Sequence, residues 1–196
     1  MKTIIALSRE YGSGGRLVAQ KVSQLLHIPF YDKEVIKEVA RQTGYSEDYV
    51  KNADLRPTGS FLYDLYFSGQ MPSVSDQVFV TQSRVILDLA KKGGCIIVGR
   101  CADYVLHDRP ECLRVFVHAP IEQRVRRAIE DYGIQAEKPE VFVSKQDKYR
   151  ASYYNFFTTG RWGIASNYDL SINSRIGLDA VAQVIVEAAK QLDASL

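Results

Sequence analysis

The sequence predicts an α/β fold with a five-stranded, mainly parallel sheet and helices on both faces. Short apolar runs of strand length recur along the chain, amphipathic helical patterns separate them, and no internal repeat is visible. Continuous apolar strands that alternate with helices are typical of a parallel sheet covered on both sides, with ligands at the carboxyl ends of its strands. A length of 196 residues suits one domain, residues 1–196.

The predicted strands lie at residues 3–8, 28–31, 94–99, 113–118 and 168–172. After the first strand, an apolar helical face begins at Leu17, and a later helix ends at the cations and glycines of residues 91–94. The interval of about 33–82 has no strand pattern, and it includes turn-forming residues at 57–60 and 69–72. We expect a helical insertion there.

A glycine-rich turn joins the first strand to the first helix. Its residues are Gly12, Ser13, Gly14, Gly15 and Arg16. Glycines permit positive φ and let backbone N–H groups approach an anion, and the positive end of the helix dipole points at the same place. We predict that these five residues bind nucleotide phosphates, although a glycine-rich turn without a ligand is the alternative.

The turn departs from the Walker pattern of glycine, four residues, glycine, lysine and then serine or threonine. With Arg16 in the lysine position, Gly15 fits, but Glu10 stands at the first glycine and Leu17 replaces the hydroxyl that binds magnesium. A register shifted by one places Gly15 at the lysine and Arg9 at the first glycine. In the first register Arg16 substitutes for the lysine, and the turn is a degenerate P-loop in either one.

Charged residues recur where they can reach this turn. Arg100 and Asp103 follow the third strand, which predicts a phosphate clamp at the ligand edge of the sheet; an exposed ion pair is the alternative. Two later helical segments, 121–127 and 144–150, each carry paired charges three residues apart. The pairs are Arg124 with Arg127 and Asp147 with Arg150. Phosphoryl transfer needs such cations, whereas Arg126 and Lys148 are expected on solvated faces.

Composition limits the possible partners and compartment. The chain has 25 Lys and Arg against 23 Asp and Glu, a net charge of +2, which argues against general nucleic-acid binding. Cys95, Cys101 and Cys112 show neither CxxC spacing nor neighbouring histidines, so neither a disulfide framework nor a zinc site is expected. No apolar stretch approaches the length of a membrane span. We therefore expect a cytoplasmic protein without membrane or nucleic-acid partners.

Several residues have more than one interpretation. Asp32 follows Gly12 by twenty residues, where a dinucleotide-binding oxidoreductase carries its ribose-binding acid. Leu17 argues against that class because glycine or alanine is needed there for close packing. His118 and the aromatic run at 153–157 are interpreted as structural, the aromatic run packing on the core or on a dimer partner, and Trp162 either stacks on a base or anchors the core.

Five motifs resemble the cytidylate kinase-like family, a divergent branch of the nucleoside monophosphate kinases, over nearly the whole chain. They are the loop at 8–16, Tyr31-Asp32, Val98-Gly99-Arg100, residues 116–124 and residues 167–173. The resemblance implies a P-loop fold with strand order 2-3-1-4-5, a monophosphate-binding insertion at about 33–82 and a lid at about 133–163. It also implies transfer of a phosphoryl group from ATP, with Mg²⁺, to a pyrimidine monophosphate such as CMP or dCMP.

The resemblance assigns roles to individual residues. Arg100 corresponds to a monophosphate-binding arginine, although the aspartates that flank it in the family are Val98 and Cys101 here. Asp147 and Arg150 match an Asp-x-x-Arg lid motif, and Val143 stands where the family has a further arginine.

Together these arguments predict a nucleoside monophosphate kinase that stabilises transferring charge with Arg16, Arg124 and Arg150. The predicted substrate-binding residues are Asp32, Arg100, Asp103 and Asp147, and no direct metal ligand is predicted. A nucleotide-sensing module that has lost catalysis is the alternative function. A homodimer is one candidate oligomeric state.

Overall fold

The computed structural model describes residues 1–53 and 74–196. In these residues five parallel strands form one sheet in the order β2-β3-β1-β4-β5. The strands are β1 (Ile4–Arg9), β2 (Phe30–Tyr31), β3 (Ile96–Val98), β4 (Cys112–His118) and β5 (Leu170–Asn173). The predicted class and strand order are confirmed, and each predicted strand is present with small shifts of its bounds.

Eight helices accompany the strands in the described ranges. They are α1 (Gly15–Leu26), α2 (Lys33–Thr43), α3 (Glu47–Ala53), α4 (Val74–Ala90), α5 (Ala102–Val105), α6 (Ile121–Glu130), α7 (Pro139–Phe157) and α8 (Leu178–Ser195). Short 3₁₀ turns lie at Ala165–Asn167 and Ser174–Ile176.

Helices cover both faces of the sheet because successive residues of a strand point to opposite sides. On β1, Ile4 and Ala6 join an apolar cluster with residues of α2 and α4, including Val39 and Ile86. Ile5 belongs instead to a second cluster, which includes residues of α1 and α8. The two clusters hold the sheet between two helical layers and leave the carboxyl ends of its strands as the edge where a site can form.

The strand order decides between two predicted folds. In a dinucleotide-binding fold the second strand lies directly beside the first. Here β3 lies between β1 and β2. The oxidoreductase alternative is therefore wrong, and the position of Asp32 needs another explanation.

The predicted insertion and lid coincide with helical parts of the chain. The insertion contains α2, α3 and the start of α4, while its turn-forming residues at 57–60 and 69–72 lie outside the described residues. The lid interval contains α7, a single 19-residue helix with Pro139 in its first turn. Their movement and their roles stay predictions.

Cys95, Cys101 and Cys112 are free and buried. Arg126 and Lys148 are both exposed, which agrees with the expectation that they lie on solvated faces. Across the described ranges, no helix has the length and apolar character that a membrane span requires.

Candidate phosphate-binding site

The turn between β1 and α1, residues 10–15, is called the glycine loop here. Gly12 and Gly14 have φ angles of 77° and 81°, a region that favours glycine. A Cβ at Gly12 would lie 2.4 Å from the Arg124 carbonyl oxygen, and a Cβ at Gly14 would lie 2.6 Å from Cδ2 of Leu178. Packing requires glycine at both positions whether or not a ligand binds, and phosphate binding by the loop stays a prediction.

Three other elements hold the glycine loop in place. Asp147 of α7 accepts the Tyr11 N–H through Oδ1 at 2.7 Å. Arg127 of α6 donates to the Gly12 carbonyl at 2.6 Å, and the Ser174 hydroxyl donates to the Ser13 carbonyl at 2.7 Å. The loop is therefore formed before any ligand arrives.

The start of α1 keeps backbone donors available. The helix begins at Gly15, after Gly14 in a left-handed conformation. Among the residues that the structure describes, none accepts a hydrogen bond from the N–H groups of Gly15, Arg16 or Leu17. Such free donors at a helix N-terminus suit an anion.

Arg16 is directed toward the edge of the sheet rather than back over the glycine loop. Its Nε lies 2.8 Å from Oδ2 of Asp32, the residue that follows β2, and its side chain is 48% exposed. The structure thus brings two predicted site residues together as an ion pair. This position does not support Arg16 as a replacement for the Walker lysine.

Arg124 is buried between the glycine loop and α7, and its charge is already matched. It forms ion pairs with Asp147 and, at 3.4 Å, with Glu10, and it donates to the Tyr11 carbonyl. Its side chain is only 10% exposed. The predicted pairing of Arg124 with Arg127 on one helix face is confirmed, but both residues hold the loop from outside.

An unusual backbone turn follows β3. Gly99, Arg100 and Cys101 have φ angles of 73°, 62° and 54°, so two residues that are not glycine adopt the left-handed region in succession. The buried Gln82 stabilises this turn, since its Nε2 donates to the Arg100 carbonyl and to the Tyr153 hydroxyl, both at 3.2 Å. The turn directs Arg100 into a cavity at the ligand edge.

This cavity has a volume of about 260 Å³ and lies at the carboxyl ends of β1 and β3. We call it the arginine cavity, because its wall includes Arg9, Arg100 and Arg150. Lys51 adds a fourth cation, while Tyr149 and Trp162 add aromatic surface. Cations beside flat aromatic rings suit a ligand that carries both a phosphate group and a planar ring.

The three arginines disfavour one another's charge. Burial lowers the pKa of Arg9 and Arg100, and in Arg100 the charge of Arg9 adds to this effect. Burial, again with Arg9, lowers the pKa of Arg150 to about 9. Positive charges gathered in a half-buried space are stabilised by an anion that neutralises them.

Asp103 lies beneath the arginine cavity and does not line it. Its carboxyl group accepts a hydrogen bond from the Ser8 hydroxyl at 3.2 Å, and Asp103 is only 3% exposed. Burial raises its pKa. Neither predicted position of Asp103, in a phosphate clamp or in an exposed ion pair, agrees with the structure. Asp103 instead hydrogen-bonds to Ser8, and Ser8 lines the cavity.

Several aromatic residues belong to both the core and the cavity. Tyr153 and Tyr154 form a buried cluster with Cys101, which agrees with the structural interpretation of this run, and they also line the arginine cavity. His118 ends β4 as expected. Trp162 packs against Phe116 in a T-shaped contact with ring centroids 5.3 Å apart, and it also lines the cavity. Its stacking on a base stays a prediction.

Arg9 lines the cavity, although the sequence patterns assign it no site role. In the shifted Walker register it stands at the position of the first glycine, where it is a poor match. The available signal was its position as the charged residue that ends the apolar β1, at the edge where parallel sheets bind ligands.

Solved structures with similar folds are mostly kinases. An uncharacterized protein from Eubacterium ventriosum is 27% identical with a TM-score of 0.73, and the match covers 96% of this chain and 98% of that one. Shikimate kinase from Acinetobacter baumannii, in complex with shikimate, is 18% identical with a TM-score of 0.54 and coverage of 97% and 95%. A gluconokinase from Sinorhizobium meliloti is 13% identical with a TM-score of 0.56 and coverage of 97% and 93%.

No curated protein matches the chain. The model of the cytidylate kinase-like family, however, matches residues 4–176. That match spans the glycine loop, the turn after β3 and the lid motif. The chain therefore belongs to the cytidylate kinase-like family.

Proposed function

We propose that this protein transfers the γ-phosphoryl group of ATP to a pyrimidine nucleoside monophosphate such as CMP or dCMP. The observation that carries the proposal is the arginine cavity beside the glycine loop. The loop offers backbone donors to one set of phosphates, and the cavity offers cations to another. Two anion-binding regions at one sheet edge suit a donor and an acceptor that both carry phosphate.

The charge of the cavity also favours one class of acceptor. The similar structures include enzymes named for different acceptors, shikimate and gluconate, so the fold leaves the acceptor open. Three guanidinium groups suit a phosphate monoester, which brings about two negative charges at neutral pH. Tyr149 and Trp162 provide surfaces on which a base can stack.

The residues then take distinct roles. Arg100, fixed by the turn after β3, holds the acceptor phosphate. Arg150, on α7, stabilises the charge that spreads over the transferring group, and Asp147 positions Arg150 at 3.5 Å. The protein aligns donor and acceptor and excludes water, and it forms no covalent intermediate. Arg124 acts as a positioning residue through Asp147.

Magnesium fits this site only if the phosphates supply most of its ligands. Leu17 has no oxygen at the position of the usual hydroxyl, and within the described ranges no cluster of three His, Cys, Asp or Glu residues is suited to a metal ion. Among the predicted site carboxylates, we assign this role to Asp32, which is paired with Arg16. When bound, Mg²⁺ neutralises phosphate charge, and Asp32 would orient its water ligands.

A nucleotide-sensing module is the second candidate function. It is favoured by the Asp147 carboxylate, which occupies the Tyr11 N–H and places a negative charge against the loop. A sensing module would bind nucleotide without turnover.

A coupled assay of ADP release distinguishes the two functions. ATP and Mg²⁺ are supplied with CMP, dCMP, UMP or AMP, and shikimate and gluconate serve as acceptors without phosphate. We expect stimulation by CMP or dCMP above the rate with water alone. Binding of ATP without stimulation by any monophosphate, at any magnesium concentration, contradicts the kinase and supports the sensor.

A further inference from the structure

Arg9 has an unusual path through the site. Its main chain ends β1, and its side chain passes directly beside Gly15, where an added Cβ would lie 2.6 Å from the Arg9 Cβ. It ends against Gly99, where an added Cβ would lie 2.0 Å from Nη1 of Arg9. The side chain thus runs from the first residue of α1 to the turn that carries Arg100, with its guanidinium at that turn. Both glycines keep this path open.

Within the described residues, no ion pair matches the charge of Arg9. In residues 1–53 and 74–196, no carboxylate lies within 4.0 Å of its guanidinium. Asp32 is near enough to affect its pKa, but the Asp32 carboxylate is held by Arg16 at 2.8 Å. Arg150 increases the local positive charge, since its Nη1 donates to the Arg9 carbonyl at 3.1 Å.

We propose that Arg9 is the cation that binds the terminal phosphate of the donor nucleotide, in the role that the Walker pattern assigns to lysine. This inference rests on the proposed function for its choice of donor. It assigns Arg16 a different task, which is to hold Asp32. The phosphate bound by Arg9 lies between the glycine loop and Arg100, where a transferring group has to pass.

Nucleotide binding tests the proposal without any turnover. Isothermal titration compares ATP, ADP and pyrophosphate on the parent protein, Arg9→Gln and the matched control Arg16→Gln, in buffer without phosphate or sulfate. We expect Arg9→Gln to lower the affinity for ATP about 10-fold or more relative to the affinity for ADP, because a charge-assisted contact is lost. The affinity for pyrophosphate should fall similarly. Arg16→Gln should leave the ratio of ATP affinity to ADP affinity, called the ATP to ADP ratio here, near that of the parent.

A third variant separates charge from folding. Arg9→Lys keeps the positive charge on a shorter side chain without the planar fork, so it should restore part of the preference for ATP. Pyrophosphate should also raise the melting temperature of the parent more than that of Arg9→Gln. An Arg9→Gln protein that unfolds is then replaced by Arg9→Lys, whose ATP to ADP ratio must lie below that of the parent.

Other outcomes overturn the assignment. An unchanged ATP to ADP ratio in Arg9→Gln, or a larger loss in Arg16→Gln, contradicts it. Titration of CMP in the presence of ADP forms the second arm: a loss of CMP affinity with an unchanged ATP to ADP ratio assigns Arg9 to the acceptor and excludes the donor.

The inference and the proposed function can fail separately. If Arg9→Gln loses its preference for ATP while no monophosphate stimulates ADP release, Arg9 binds phosphate in a protein that is not this kinase. If CMP stimulates turnover and Arg9→Gln keeps the preference, the kinase stands and the assignment of Arg9 is wrong.

Discussion

The glycine loop and the arginine cavity are neighbours, but they satisfy their polar groups in opposite ways. In the loop, Asp147 accepts the Tyr11 N–H, and Arg127 and Ser174 donate to loop carbonyls. In the cavity, burial and mutual repulsion lower the pKa of arginines such as Arg150. Contacts within the protein therefore fix the shape of the loop. In the cavity positive charge accumulates, so an anion bound there would stabilise the protein.

The largest expected effect comes from disrupting the loop. Gly12→Ala places a Cβ 2.4 Å from the Arg124 carbonyl at a φ of 77°, and we expect a loss of about 2–5 kcal/mol in the free energy of unfolding. Gly44→Ala is the matched control, because its φ is 75° and no atom lies within 4 Å of the added Cβ. It should cost only about 1–2 kcal/mol. Equal losses in urea unfolding would show that the loop is not tightly packed.

Asp147→Ala should have the next largest effect. It removes an ion-pair partner of the buried Arg124 and the acceptor of the Tyr11 N–H, so we expect a loss of about 2–4 kcal/mol. Asp131→Ala is the control: Asp131 is 52% exposed and pairs with Arg127 at 3.7 Å, which predicts about 0.5 kcal/mol or less. Thermal or urea unfolding measures both. Similar values for the two variants contradict the structural role of Asp147.

Two cavity arginines should differ in their kinetics. Arg100→Ala should mainly raise the KM for the monophosphate, and Arg150→Ala should mainly lower kcat. Each change should correspond to a loss of about 1.5–3 kcal/mol, in binding free energy for Arg100 and in stabilisation of the transition state for Arg150. The reason is that Arg100 is fixed by its turn, whereas the contact of Arg150 forms as charge develops. Steady-state ADP release measures this, with the exposed Arg126→Ala as control. If both variants change kcat and KM in the same way, Arg100 and Arg150 do not have different roles.

The smallest effect concerns pH. Burial raises the pKa of Asp103, partly offset by the Tyr154 and Ser8 hydroxyls, so the folded protein holds this proton to a higher pH than the unfolded chain. Its stabilising contribution is therefore present below the unfolded pKa and is lost as pH rises through the folded pKa. Asp103→Asn should remove this loss from unfolding curves measured at increasing pH.

Asp169→Asn provides a control of opposite sign. Burial alone would raise the pKa of Asp169, but hydrogen bonds from Arg114 outweigh it and lower the pKa. Its contribution is present above the unfolded pKa and is lost as pH falls through the folded pKa. If both variants change the pH dependence in the same direction, the assignment of Asp103 is wrong.

The fold was largely predictable because strand patterns and their alternation with helices are local properties of the sequence. The same holds for Arg100, which lies two residues after the end of β3 and therefore reaches the ligand edge. Side chains that meet across the chain were not predictable by spacing. Asp147 contacts Tyr11 across 136 residues, and the pairing of Arg16 with Asp32 depends on how α1 is rotated against β2.

Arg9 and Asp103 show a second limit. Both were judged by a motif, Arg9 as a mismatch and Asp103 as a partner of Arg100, although neither motif specifies burial. Asp103 faces Ser8 beneath the cavity, and Arg9 passes Gly15 and Gly99, which lack the side chains that would block it. The path of the Arg9 side chain therefore depends on the space that the segments around Gly15 and Gly99 leave beside β1.

One 19-residue helix, α7, carries both Asp147, which accepts the Tyr11 amide hydrogen, and Arg150, which lines the cavity. If α7 moves as the predicted lid, a rigid helix cannot leave the cavity without releasing that amide. The exchange of the Tyr11 amide hydrogen with solvent deuterium would then measure how often the cavity opens, and a ligand that holds α7 closed would slow this exchange.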